Sequence, residues 1–258
     1  DLHSFPTRRS SDLHIEWGFA PRLYNADDYA IGQLYLDLAE HYSDRSYLFN
    51  LQQRLQAILA HPSSVDLVFV KSGDDEILDG RRWNIAPCRD RWCWCDALFM
   101  APPVWMQMGK VTGDRRFVDF ADREFWLAAD YLYDKDEHLF FRDSRYFDRR
   151  EDDGGKIFWG RGNGWVIAGI ARTLSALPAD HPRRADYVAL FQSMADRLAS
   201  VQTEAGYWRS SVLASTQETP ETSAAGLMVF ALAWGVNNGY LDAIWRSEER
   251  RVGKECRS

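Results

Sequence analysis

Long hydrophobic runs are scarce in this chain, and the longest, residues 224–235, falls well short of the ~20 apolar residues a membrane-spanning helix needs. Basic residues are outnumbered. The count of 31 Lys and Arg against 38 Asp and Glu gives a formal charge of −7, which argues against nucleic acid or an anionic membrane surface as a partner. Cysteine is sparse as well, with four in 258 residues. With Cys256 set aside as part of a tail, Cys88, Cys93 and Cys95 are too few for a two-pair zinc site or a disulfide framework, and Cys93 and Cys95 around Trp94 read as packed thiols. The acidic doublets Asp27-Asp28, Asp74-Asp75 and Asp152-Asp153 lack the spacing of an Asp-rich metal-binding run.

Both chain ends stand apart from the rest. Residues 1–13 (DLHSFPTRRSSDL) and 246–258 (RSEERRVGKECRS) look like translations of a sequencing-adapter oligonucleotide, one tail reading each strand. Setting them aside removes seven basic and five acidic residues and moves the charge from −7 to −9. The remaining residues, 14–245, suffice to bury a large core in one domain.

What the chain does have is aromatic side chains, 14% of all residues with 11 Trp among them. Flat rings are what a sugar-binding cleft uses, although core packing also absorbs them. Helices predicted to start near Asp28, Asp96, Asn163 and Thr222 are mostly apolar, at intervals of 68, 67 and 59 residues. Between them lie amphipathic helices over residues 44–60, 114–133 and 182–201. On the first inner helix Leu34, Tyr35, Leu38 and Tyr42 share the stripe. A helix apolar all round must be buried and a striped one must cover it, so the alternation predicts an inner ring sheathed by an outer one. Each inner helix opens with a polar cluster, and these clusters should gather at one end, where helix N-termini favour an anion. Pro102 and Pro103 should kink the Asp96 helix or delay its start. Residues 63–90 read as a long rim-shaping loop with a possible strand at 67–70.

The motifs WCDALFMAPP (residues 94–103), LFFRDSRYF (139–147), FWGRGNGW (158–165), PETSAAG (220–226), ALAWGVNNGYLD (231–242) and NADDYAIGQLYLDL (25–38) together resemble the unsaturated rhamnogalacturonyl hydrolases, glycoside hydrolase family 105. The unsaturated glucuronyl hydrolases of family 88 are a cousin group. The resemblance implies an all-α (α/α)6 barrel, of which residues 14–245 would supply about seven of twelve helices. It implies removal of a 4,5-unsaturated uronic acid from the non-reducing end of a pectin-derived oligosaccharide. In that chemistry a carboxylic acid protonates the vinyl ether at C4 and water adds at C5. No metal or organic cofactor is implied. Carried over by motif, Asp143 matches the general acid/base and Asp96 the second acid. Arg161 and Asn163 match positions facing the sugar, Arg161 suiting a bidentate grip on the uronate carboxylate. Trp94 and Trp165 are candidate stacking platforms, and Asp28 a further substrate contact. Two other readings stay open. A sugar epimerase or isomerase on the same barrel would rely on histidines, and none of His14, His41, His61, His138 and His181 lies in an inner-helix cluster. A non-catalytic helical scaffold would need neither Asp96 nor Asp143.

Overall fold

The computed structural model describes residues 23–69, 76–78, 81–83, 90–215 and 220–242, so both tails lie outside the described residues. Helix α1 is Asp27–Tyr42; a 3-10 turn, Arg45–Leu48, leads into α2, Phe49–Ala60. Strands β1 (Glu76–Leu78) and β2 (Arg81–Trp83) pair antiparallel, with Ile77 opposite Arg82. Then come α3 (Ala97–Met100), α4 (Pro102–Thr112) and α5 (Arg115–Leu132). A small hairpin joins β3 (Tyr133–Asp134) to β4 (Leu139–Phe140), and α6 (Gly160–Ala176), α7 (Arg184–Ser200) and α8 (Thr222–Asn237) complete the order.

The packing follows the apolar patterns. Helices α1, α3–α4, α6 and α8 lie side by side as the inner layer, α1 against α3 and α4, α6 against both, and α8 along α6. Helix α5 covers α4 and α7 covers α6, while α2 packs on α1 through Leu51 against Gly32 and touches α5 alongside. Among the described residues this is an arc of the predicted double ring. Local chemistry sets the ends of its elements. Asp114 caps α5 by accepting from the Arg116 N–H at 3.0 Å, and Gly113 ends α4 at φ 76°, where a side chain would be strained. Gly169 lets α6 lie directly on α3, since a Cβ there would sit 2.3 Å from the Leu98 carbonyl oxygen.

Three expectations are corrected, and one is met. Leu67 to Phe69 form no strand, and the pairing in the long loop is the β1–β2 hairpin instead (Val70 lies outside the described residues). The Asp96 helix is broken at Pro102 and Pro103 as expected, because they carry no N–H for the carbonyls of Leu98 and Phe99. The buried face of α1 is Tyr29, Gly32, Gln33, Leu36 and Ala39, while Leu34 and Tyr42 are 49% and 61% exposed. Cys93 is disulfide-bonded, to a partner outside the described residues, whereas Cys95 is a free, buried thiol as expected.

Candidate active site

The two motif acids come together through the backbone. The N–H of Cys95 donates to the carbonyl of Arg142 at 2.9 Å, which ties the turn bearing Asp96 to the segment bearing Asp143. Asp96 directly precedes the single turn of α3, where its carbonyl accepts from Phe99 N–H at 3.0 Å. It is mostly buried, and burial pushes its carboxyl up to about 6. Its own backbone N–H and the Arg142 guanidinium pull the other way, and Asp27 and Asp143 add to the rise. The adjacent Cys95 thiol is pushed up by burial and by the same two acids, Asp96 and Asp143, so it is not a reactive thiolate.

Asp143 is held differently. Its side chain is fully buried, in extended backbone just after β4. One carboxylate oxygen accepts from Arg145 N–H at 3.0 Å and Nε at 2.8 Å, and the other from the guanidinium NH2 at 2.9 Å. Arg145 is equally buried and lies 4.3 Å from the centre of the Phe69 ring. Ser144 Oγ accepts from the Phe69 N–H at 3.1 Å, so the residues preceding the β1–β2 hairpin seat directly on the Asp143 segment. Arg142 is a longer partner, 3.7 Å from Asp143.

Trp159 brings an aromatic ring beside this pair. The guanidiniums of Arg142 and Arg161 lie 5.9 Å and 4.7 Å from its ring centre. Gly162 makes room for that indole, since a Cβ there would come within 2.5 Å of its ring and 2.9 Å of Cys95 Sγ. Arg161 is 43% exposed and faces Glu221, at the start of α8, across 3.6 Å. The polar starts of α3, α6 and α8 therefore do converge, with Asp27 of α1 close enough to act on Asp96.

The remaining residues singled out from sequence fall into two groups. Trp94 is half-buried against the core with its indole N–H unpartnered, and Trp165 is half-buried with its ring 4.6 Å from that of Phe99. Asn163 and Asp28 are engaged by other parts of the protein. Asn163 is fully buried, and its side-chain amide accepts from Phe140 N–H at 2.8 Å and donates to the carbonyls of Phe140 and Trp159 at 3.1 and 3.0 Å. It clamps the hairpin ahead of Asp143 to the start of α6. Asp28 turns toward α2 and pairs with Arg54 at 3.1 Å. Sequence reasoning missed Asp27, Arg145, Trp159 and Glu221. Trp159 sits in the same FWGRGNGW motif, and the glycine three residues after it was the available signal.

A model of Glycosyl Hydrolase Family 88 matches residues 9–251. The chain belongs to glycosyl hydrolase family 88. The family 88 chain is 46% identical over 221 residues to an unsaturated 3S-rhamnoglycuronyl hydrolase of Alteromonas sp. (strain LOR), covering 85% of this chain and 53% of that one. It is 39% identical over 233 residues to a protein of the same name from Formosa agariphila, covering 88% and 59%. A solved glycosyl hydrolase family 88 structure from Bacteroides vulgatus superposes with a TM-score of 0.76 at 28% identity, over 90% of this chain and 60% of that one. The fold is thus all-α and matches part of the six-hairpin barrel of the family. The chain spans between half and three-fifths of the length of these relatives.

Proposed function

We propose that this family 88 chain carries the active site of a glycoside hydrolase. The enzyme removes a 4,5-unsaturated uronic acid from the non-reducing end of an oligosaccharide whose next sugar is a sulfated rhamnose. The observation that carries the reading is the paired acids, one buried carboxyl that holds its proton to about pH 6 beside one fixed in an ion pair. Asp96 suits the proton donor to C4, because protonating a vinyl ether near neutral pH needs an acid with a raised pKa. Asp143 has both oxygens committed as acceptors to Arg145, which suits a fixed negative charge that stabilises the cation developing at C5 and orients the incoming water. The motif resemblance gave these two acids the opposite emphasis, and the geometry favours the exchange.

The choice of aglycone rests on the relatives. The rhamnogalacturonan of pectin is the substrate that the motifs imply, whereas two relatives at 46% and 39% identity carry names that read as acting on 3-sulfated rhamnose. Two guanidiniums, Arg142 and Arg161, lie over one indole, and among the described residues their ion pairs to acids are long, 3.7 and 3.6 Å. That suits a substrate with two anionic groups, a carboxylate and a sulfate. The test offers the full-length protein a matched pair of unsaturated uronyl-rhamnose disaccharides, with and without the 3-sulfate, and follows the ultraviolet absorbance of the conjugated C4=C5 bond. Faster loss on the sulfated substrate supports the assignment. Equal or slower loss returns the substrate to the pectin side, and no loss on any unsaturated uronide removes the hydrolase reading.

A further inference from the structure

Prolines 102 and 103 create a gap in hydrogen bonding just behind Asp96, and one buried side chain from another helix fills it. In a continuous helix the Phe99 carbonyl would accept from the N–H of residue 103, which proline lacks. The Met100 carbonyl would accept from Val104, whose N–H goes instead to Ala101 O at 3.0 Å. With Leu98 three carbonyls are freed, and those of Phe99 and Met100 belong to half-buried residues packed against the core, where an unmet acceptor is costly. Gln33 of α1, only 7% exposed, directs its side-chain Nε2 to Phe99 O at 2.8 Å and to Met100 O at 3.4 Å. An amide nitrogen has two hydrogens, one for each acceptor.

We propose that Gln33 is a positioning residue for the proposed reaction, holding the one-turn helix α3 so that Asp96 keeps its place against Asp27 and Arg142. The single turn is then fixed at both ends. Its entry is held by the Cys95 N–H to Arg142 carbonyl bond and its exit by Gln33. Gln33 sits on the same helix that carries Asp27 in its first turn, so one rigid element sets both the seat of Asp96 and the position of a neighbouring acid. The groups that act on Asp96 are Asp27 from α1 and Arg142 and Asp143 from the segment after β4, while Asp96 in turn acts on the neighbouring Cys95 thiol. A slip of α3 changes its distance to each of them.

The proposal rests on Asp96 being the proton donor, so its test has one readout that needs no turnover. Gln33→Met keeps the volume and removes both donors. Gln33→Glu keeps the shape, has no donor when ionised and regains one when protonated. Each is made in the full-length protein, with kcat and KM followed across the acid-to-neutral range and the Asp96 carboxyl titrated by carbon NMR, assigned through Asp96→Asn. The expected result for folded Gln33→Met is a kcat lowered about 10- to 100-fold, the scale of a roughly 1 Å misplacement, with KM little changed and the Asp96 midpoint moved. Gln33→Glu should recover toward the parent rate as pH falls, and it carries the test alone if the Met variant does not fold. Parent-like kcat and an unmoved Asp96 midpoint in a folded variant overturn the proposal, as does lowered stability with an unchanged pH profile. Should the parent protein turn over no unsaturated uronide, the functional reading has failed. The titration alone then decides: a moved midpoint upholds the positioning role and an unmoved one removes it.

Discussion

The Cys95 N–H and the Arg142 carbonyl meet at 2.9 Å, and each is one residue from a carboxylate. Asp96 and Asp143 come from segments nearly fifty residues apart, yet one main-chain hydrogen bond fixes their relative position. The two acids share a frame but not an environment, and the first predictions follow from that difference.

Replacing each acid by its amide should give different outcomes. Asp96→Asn removes a carboxyl with no ion-pair partner among the described residues, so the fold stays and kcat drops by about 10²- to 10⁴-fold, the usual contribution of a general acid. Asp143→Asn takes the carboxylate away from the buried guanidinium of Arg145 and should cost about 3–5 kcal/mol of stability in addition to activity. Thermal melts beside rate measurements distinguish the two; a stable Asp143→Asn protein would contradict the ion-pair argument.

Asp96 also sets a pH dependence. Burial raises its folded-state value from 3.8 to about 6, so as pH rises the unfolded chain releases this proton first. Stability from this group therefore declines between those two values, by roughly 1–3 kcal/mol, and is level above them. Activity that requires the protonated acid should fall as pH passes about 6. Asp96→Asn should abolish the decline and be the more stable protein at neutral pH while lacking turnover. Urea unfolding of both proteins at an acid and a neutral pH checks this.

Asn163 should behave as a structural clamp. Asn163→Ala leaves the N–H and carbonyl of Phe140 without their partner in the core, at about 1–3 kcal/mol for each unmet group. The expected result is a lowered melting temperature, with KM little altered in the protein that remains folded. A large rise in KM at unchanged stability would restore Asn163 to the sugar-facing side.

Arg161 and Glu221 should move KM in opposite directions. Arg161→Ala removes a cation at the mouth and should raise KM for an anionic uronide by about tenfold. Glu221→Gln releases Arg161 from its 3.6 Å partner and should lower KM for the same substrate. The shifts should shrink at high salt, because Arg161 is well exposed to solvent. Salt-independent effects would argue for a packing role instead.

Much of this was legible in the sequence, where the signal was local. Apolar runs, caps and glycine stops gave the helix order, and a recurring polar cluster at inner-helix starts singled out Asp96 and the Arg161 motif. Pairings between distant segments were not legible. Leu34 reads as a core residue by type, yet it is Gln33 that turns inward, and only the approach of Phe99, 66 residues away, explains why. The same holds for Asp28, drawn outward by Arg54 26 residues on, which leaves its neighbour Asp27 to act on Asp96. Arg145 was visible two residues from Asp143, but that this ion pair is buried depends on Phe69 arriving from the preceding loop.

The proline break has an electrical side. Peptide dipoles add along a helix, and a long uninterrupted helix starting at Asp96 would present about half a positive charge to its carboxyl. That field would stabilise the anion and work against a retained proton. With α3 cut to four residues, its carbonyl end lies within one turn of its amide end and much of the field cancels. Straightening this stretch by replacing both prolines with alanine would lengthen the dipole, and the acid should then release its proton earlier.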